Sequence, residues 1–414
     1  MGQRNFKRIL IIDGEYFGHR SIFGLQREAT EKGYELTLDL PEEQINFKNA
    51  LHNGLNTLIA TFNNDKRNLI DNVLFLTDCN SWRKQFEPFR PYYLKDDTTT
   101  PIKYKENRVE KREKSDINWE NFFKIYEEFC NEISEKIPFI KINGLEADDL
   151  IALTASRLRN ENVESVVFCT DGDLKQTVKD NFILFRNIKS VAAPYGEFVI
   201  SSNLANKLAN INPATRILQG GDDHDELFQI IIGQQEGIQK REVGKGIDLS
   251  NPWEIIFEKS ICGDTKDNIF PILRWKASTG TKNFKVTVKH IEKALAKHGY
   301  KFDNITCAKI LQDKDALVNM LLALIEVTKQ STVTVKDIGN HFKHNLRLNL
   351  LSEKNMPIDC VKQFDTIFDT LKESLINDEF DFDLIKKPNN NVNKNIKLLN
   401  DSVDDNLVAD ILKS

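Results

Sequence analysis

Five short apolar runs constrain the fold of this chain more than any other feature. They are RILII at 8–12, VLFLT at 73–77, PFIKI at 138–142, SVVFCT at 165–170 and FILF at 182–185. None alternates polar with apolar residues, so a strand built from any of them buries both faces. Helix-like stretches lie between them, such as DDLIALTASRLRN at 148–160. Unalternating strands separated by helices predict a mainly parallel, twisted α/β sheet with helices on both faces. We place that domain at 1–200. From 201 the pattern becomes mainly helical, as in KVTVKHIEKALAKHG (285–299) and DALVNMLLALIEVT (315–328). This predicts a second region over 201–387, joined by the Asn-rich PNNNVNKN at 388–395 to a mobile tail, 388–414.

Parallel sheets bind ligands at the carboxyl ends of their strands, and here those ends are acidic. Asp13 follows the first run and Asp78 the second. Asp171 and Asp173 follow the fourth run, and Glu146, Asp148 and Asp149 open the helix after the third. Parallel pairing gathers all seven at one sheet edge, where crowded carboxylates need a cation between them. Hard divalent ions prefer such oxygen donors. Singly, each has a plainer use as a turn residue or a helix cap. GDTKDN at 263–268 adds Asp264 and Asp267, spaced for one helical turn. GDDHD at 221–225 repeats the spacing with Asp222 and Asp225, which we read as a solvated loop.

Net charge over all 414 residues is only −5, so composition does not mark a nucleic-acid binder, but positive charge is concentrated locally. Between Arg274 and Lys301 eight basic residues face the single acid Glu292, a local charge of +7. Arg274, Lys276, Lys282, Lys285, Lys289 and Lys293 are candidate phosphate contacts, with Lys285, Lys289, Lys293 and Lys297 expected along one helix face. Residues 83–114 hold ten basic and six acidic residues, a net +4, interleaved with Phe86, Phe89, Tyr92, Tyr93 and Tyr104. We read this stretch as an arch-like insertion above Asp78, suited to clamping a single strand.

Six cysteines without CxxC spacing fit reduced thiols. No apolar stretch approaches the ~20 residues of a membrane span, and the N-terminus runs straight into a strand pattern, so no signal peptide is expected. These features lead us to expect a cytoplasmic monomer that does not engage membranes.

The ordered set IIDGEYF (11–17), FLTDCNSWRKQF (75–86), YKENR (104–108), GLEADDLIAL (144–153), CTDGDLKQ (169–176) and GDTKDN (263–268) resembles the flap endonuclease/5′-nuclease superfamily, most closely its phage ribonuclease H branch. A weaker likeness, HNLRLNLLSEKNMP, extends to about 360. The resemblance implies an active site under a helical arch, followed at about 261–301 by a helix-three-turn-helix element that binds duplex. It also implies 5′-3′ exonuclease and flap cleavage of DNA or RNA–DNA hybrid, as in the removal of RNA primers, and a host-cytoplasm location if the chain is phage-encoded.

By position, Asp13, Asp78, Glu146, Asp148, Asp149, Asp171, Asp173, Asp264 and Asp267 would then hold two Mg²⁺ ions, with Mn²⁺ able to substitute. We assign Asp13, Asp78, Glu146, Asp148 and Asp171 to the first ion and Asp173, Asp264 and Asp267 to the second, with Asp149 shared. Lys105 and Arg108, flanked by Arg83 and Lys84, would reach the scissile phosphate. Only Gly280 remains in IFPILRWKASTGTKNF, where many relatives carry a Gly-rich hairpin.

In the tail, Val403, Leu407 and Ile411 fall at four-residue steps, which suits an amphipathic helix docking on a replication partner such as a single-strand binding protein or a sliding clamp. Two other readings stay open: a catalytically inactive nucleic-acid binding module, and a phosphohydrolase acting on small phosphomonoesters. The latter expects a DxD element where Asp13-Gly14-Glu15 stands.

Overall fold

The computed structural model describes residues 7–62, 70–85, 89–94, 103–179, 181–186, 197–201, 203–204, 247–276, 283–378 and 380. Lys282, Asp222, Asp225, Phe86, Gly280 and the tail from 388 lie outside the described residues. The described chain divides into two compact units. Residues 81–111 and 251–355 form one, and the described residues before, between and after them form the other.

The first unit is built on the predicted strands. They appear as β1 (Arg8–Asp13), β2 (Asn72–Thr77), β3 (Phe139–Lys141), β4 (Glu164–Phe168) and β5 (Phe182–Arg186), extended by β6 (Glu197–Ile200) and β7 (Ile247–Leu249). Their order is β3-β2-β1-β4-β5-β6-β7. The first five are mutually parallel; β6 runs antiparallel to β5, and β7 parallel to β6. Every residue of β1, β2 and β4 is buried, which requires cover on both faces.

That cover comes from α1 (Gly14–Glu31), α2 (Pro41–Phe62), α4 (Trp119–Ser134), α5 (Ala147–Asn160) and the late helix α11 (Ile358–Asn377). Phe75 of β2 illustrates the packing, with Phe17 of α1 and Phe129 of α4 at ring-centroid distances of 6.0 and 6.1 Å. Across the other end of the sheet, Arg8 and Glu164 are register partners on β1 and β4 and form a buried ion pair.

The second unit is mainly helical. It contains α6 (Pro252–Cys262), the hairpin β8 (Arg274–Lys276) and β9 (Asn283–Lys285), α7 (Val288–Ala296), α8 (Asn304–Gln312), α9 (Lys314–Thr328) and α10 (Val335–Asn349). Phe257, Ile261, Leu273, Ile291, Leu324 and Phe342 centre its core. Helix α3 (Asn107–Glu113) opens at the end of its first segment.

Two differences from the sequence reading matter for function. Lys285 lies on β9 and not on a helix, because Thr287 caps the helix with His290 in a capping box and α7 begins only at Val288. The expected four-lysine helical stripe therefore shrinks to Lys289 and Lys293, with Lys297 at the C-cap. In the 83–114 stretch, Phe89 and Tyr93 pack within the second unit. Phe89 stacks on His344 at 4.6 Å, and the Tyr93 hydroxyl donates to the Pro271 carbonyl at 2.7 Å. Both rings are half-buried against their own unit, where apolar rings gain more than they would standing in water.

Candidate functional site

In the first unit, strand register assembles the acids. Asp13 ends β1, the central strand of the trio β2-β1-β4, and pairs with Leu76 of β2. Its neighbour Ile12 pairs with Phe168 of β4. Asp78 lies just beyond β2 and Asp171 just beyond β4, so three adjacent strands, each spaced about 4.8 Å from the next, bring carboxylates to one edge. Gly14 makes the turn that permits this. A Cβ there would lie 2.3 Å from the Phe75 ring and 2.8 Å from the Leu76 carbonyl, so α1 can start directly against β2 only with glycine at that position.

Each acid also has a structural contact. Asp13 Oδ1 accepts the Tyr16 N–H at 3.0 Å and caps α1. Asp171 Oδ1 accepts the Asp173 N–H at 2.8 Å, capping the 3₁₀ turn Gly172–Thr177. Asp78 Oδ1 accepts the Ala147 N–H at 2.5 Å, joining the end of β2 to the first turn of α5. Glu146 is the N-cap of α5, and fully buried Asp149 closes a capping box back onto its N–H. The capping alternative therefore holds for these residues, together with their placement on a common edge. Helix N-termini favour negative charge.

The electrostatics show the crowding. Burial pushes the Asp13 carboxyl up to about 7, and the charges of Asp78 and Asp171 add to that rise, against hydrogen bonds from Cys169 and Tyr16 that lower it. Burial likewise raises the Cys169 thiol well above its usual range, with Asp13, Asp148 and Asp171 adding to the effect. Four acids thus act on one small region. The donor set is oxygen, partly buried and mutually repelling, which is the chemistry a hard divalent cation relieves.

Asp264 and Asp267 belong to the second unit and sit on a bridged turn, not the expected helical turn. The Asp264 and Ile269 backbones exchange hydrogen bonds at 2.8 and 2.7 Å. Gly263 is needed to enter this turn, with φ of 73° and a would-be Cβ 2.4 Å from the Ile269 carbonyl. Asp264 is paired with Lys259 at 2.6 Å and accepts the Lys266 N–H at 2.9 Å.

Asp267 meets the YKENR segment. Arg108 donates to its Oδ1 at 2.7 Å, the Tyr104 hydroxyl to its Oδ2 at 3.2 Å, and Lys105 Nζ stands 4.0 Å away. Burial opposes the charge, but Lys105, Arg108 and Lys259 outweigh it and hold the Asp267 carboxyl well below the usual range. Two motifs that the sequence reading took separately, YKENR and GDTKDN, are therefore one charged cluster.

The remaining predicted residues are distributed differently. Arg83 is only 2% exposed; its Nε donates to the Leu348 carbonyl at 2.9 Å, and its guanidinium covers the Trp82 ring. Lys84 is exposed. Arg274 and Lys285 are register partners across the β8–β9 hairpin, and Lys276, Lys285, Lys289 and Lys293 are exposed. Sequence reasoning gave Tyr104 a place among the clamping aromatics and not this contact with Asp267, and it gave no role to Lys259 or Cys169. The signal for Lys259 was its position one helical turn before Gly263, and that for Cys169 its place directly before TDGD. All six cysteines are unpaired. Among the described residues no helix is long and apolar enough to cross a membrane.

Fold and edge together define an α/β domain with an acidic site at the carboxyl ends of its parallel strands. Residues 8–202 match the family described as 5′-3′ exonuclease, N-terminal resolvase-like domain. That segment is similar to this exonuclease domain. Ribonuclease H of Enterobacteria phage T4 is 28% identical over 198 residues, 46% of this chain and 57% of its own length, so this chain spans little more than half of that relative. Among solved structures, T5 5′-exonuclease with bound zinc ions aligns at a TM-score of 0.41 and 15% identity, covering 95% of this chain and 100% of that one. A bacteriophage T5 flap endonuclease in a pseudo-enzyme-product complex with DNA and metal ions aligns at 0.40 and 15%, covering 95% and 99%.

Proposed function

We propose that this protein is a metal-dependent 5′ nuclease that hydrolyses phosphodiester bonds at 5′ ends and flaps of DNA or RNA–DNA hybrids. The observation that carries this reading is the acidic edge itself: Asp13 ends β1, Asp78 and Asp171 follow the strands on either side of it, and their charges add to the rise of the Asp13 pKa. The all-carboxylate donor set fits Mg²⁺, and Mn²⁺ in its place. Asp13, Asp78, Glu146, Asp148, Asp149, Asp171 and Asp173 are the proposed ligands, directly or through water. Asp264 and Asp267 are proposed as further ligands on the family resemblance alone. Bound divalent ions would supply an activated water and neutralise phosphate charge.

The protein groups have separate tasks. The caps at Asp13, Asp78 and Asp171 fix the carboxylates before any ligand arrives, so little reorganisation is needed. Lys105 and Arg108 are suited to meeting phosphate oxygens, and Asp267 orients both until then. Arg274, Lys276, Lys285, Lys289 and Lys293, within the proposed duplex-binding element of helix-three-turn-helix type, would hold the backbone without reading sequence.

The deciding assay offers a 5′-flap duplex with Mg²⁺ to the wild-type protein and to Asp171→Asn. Cleavage by the first and loss of cleavage with retained flap binding by the second is expected. Equal cleavage by both would remove the mechanism. Retained binding without any wild-type cleavage would favour an inactive binding module. Release of phosphate from a small phosphomonoester would favour the phosphohydrolase.

A further inference from the structure

We propose that Cys169 is a positioning residue for the acidic edge: its thiol fixes the second oxygen of Asp13 and ties β1 to β4 at the point where the cation would sit. This rests on the reading of that edge as a metal site. The Cys169 Sγ–H donates to Asp13 Oδ2 at 2.8 Å, while the Asp171 N–H donates to Sγ at 3.3 Å. One thiol thus links the carboxylate that ends the central strand to the backbone of the acid that follows its neighbour. The Cys169 N–H in turn bonds the Phe185 carbonyl of β5 at 3.3 Å, which anchors the thiol from the far side.

Asp13 needs this second contact. Its Oδ1 is held within its own helix by the Tyr16 N–H, but a carboxylate turns broadly about its terminal torsion. A single hydrogen bond therefore fixes a position without fixing a plane. With Cys169 on Oδ2 both oxygens are set, and the carboxylate plane is set with them. Cys169 is only 1% exposed and has carboxylates around it. It is shielded from solution reagents, and its Sγ stands at donor distance from Asp13 Oδ2. Partners that orient metal-ligating carboxylates commonly change metal affinity by 10–100-fold when removed.

The test uses the full chain and Mn²⁺ as probe, with free ion read by electron paramagnetic resonance and folding by thermal melting in EDTA. Cys169→Ala is expected to weaken Mn²⁺ binding about tenfold or more. Cys169→Ser, which keeps an O–H donor, restores most of that loss, and the two variants melt alike without metal. Ala binding as tightly as wild type overturns the proposal, and so does Ser binding as weakly as Ala. If Cys169→Ala does not fold, Cys169→Val takes its place, and the same two results decide. A wild-type chain that takes up no Mn²⁺ would instead sink the metal-site reading itself, a result distinct from the other two.

Discussion

Asp13 gives the most informative perturbation, because burial raises its pKa from 3.8 to about 7. The unfolded chain releases that proton near pH 4 and the folded chain only near 7, so between those values the folded state binds more protons. Stability of the metal-free protein therefore falls as pH rises through this window and levels off above it. The difference, about 7 minus 3.8, is roughly three units, which at 1.36 kcal/mol per unit amounts to about 4 kcal/mol. Asp13→Asn removes the penalty and keeps an oxygen for the Tyr16 N–H. Urea denaturation in EDTA from pH 4.5 to 8 should show the Asn variant gaining on wild type by up to about 4 kcal/mol, with the gap closing near pH 4. Added Mg²⁺ should reverse the order, since only the wild type gains free energy from binding the ion. Ion binding must also expel the proton, so wild-type affinity should drop about tenfold per pH unit below 7. A wild-type minus Asn difference that stays flat across this range would refute the argument.

Arg108→Gln removes a charge-assisted bond to Asp267 and should cost about 1–3 kcal/mol near neutral pH by chemical denaturation. Because the Asp267 pKa is held down in the folded state, this cost should shrink as pH falls through the carboxylate range. Replacing Lys289 and Lys293 with Gln should weaken duplex binding and lower the slope of log affinity against log salt by about 2, at about 0.9 per phosphate contact; an unchanged slope would place the footprint elsewhere. Glu164→Ala removes the buried carboxylate paired with Arg8 and should cost about 3–5 kcal/mol in thermal or urea melts, with no specific effect on Mn²⁺ affinity.

The sheet was legible because parallel strands buried on both faces leave unalternating apolar runs; all five runs became strands, with an acid at the carboxyl end of three. What the sequence hid was the use of individual side chains. Arg83 looked like a phosphate contact in a basic stretch, yet the fold directs it to a backbone carbonyl at Leu348. Lys285 looked helical by its four-residue spacing, and the Thr287 cap that starts the helix later outweighs that periodicity. The pairing of Asp267 with Lys105 and Arg108 joins segments about 160 positions apart, and no local pattern carries such a contact. Cys169 stood directly before TDGD, but nothing local showed that its thiol would reach Asp13 across the sheet.

The acids of the first unit hold two roles at once, which decides how they can be tested. Asp13 and Asp171 cap helical turns through one oxygen, so replacement by Ala would remove cap and charge together and could abolish activity through folding alone. Asn keeps the accepting oxygen and removes only the charge. If the edge exists to hold cations, Asp171→Asn should leave melting in EDTA nearly unchanged while Mg²⁺ loses its stabilising effect. If Asp171 is a cap and nothing more, Asn and Asp should be interchangeable there with or without the ion. Ala should then be harmful in both conditions by the usual cost of a lost cap, about 1 kcal/mol. The contrast between Asn and Ala at one position, read with and without Mg²⁺, separates a structural carboxylate from a ligand without relying on catalysis.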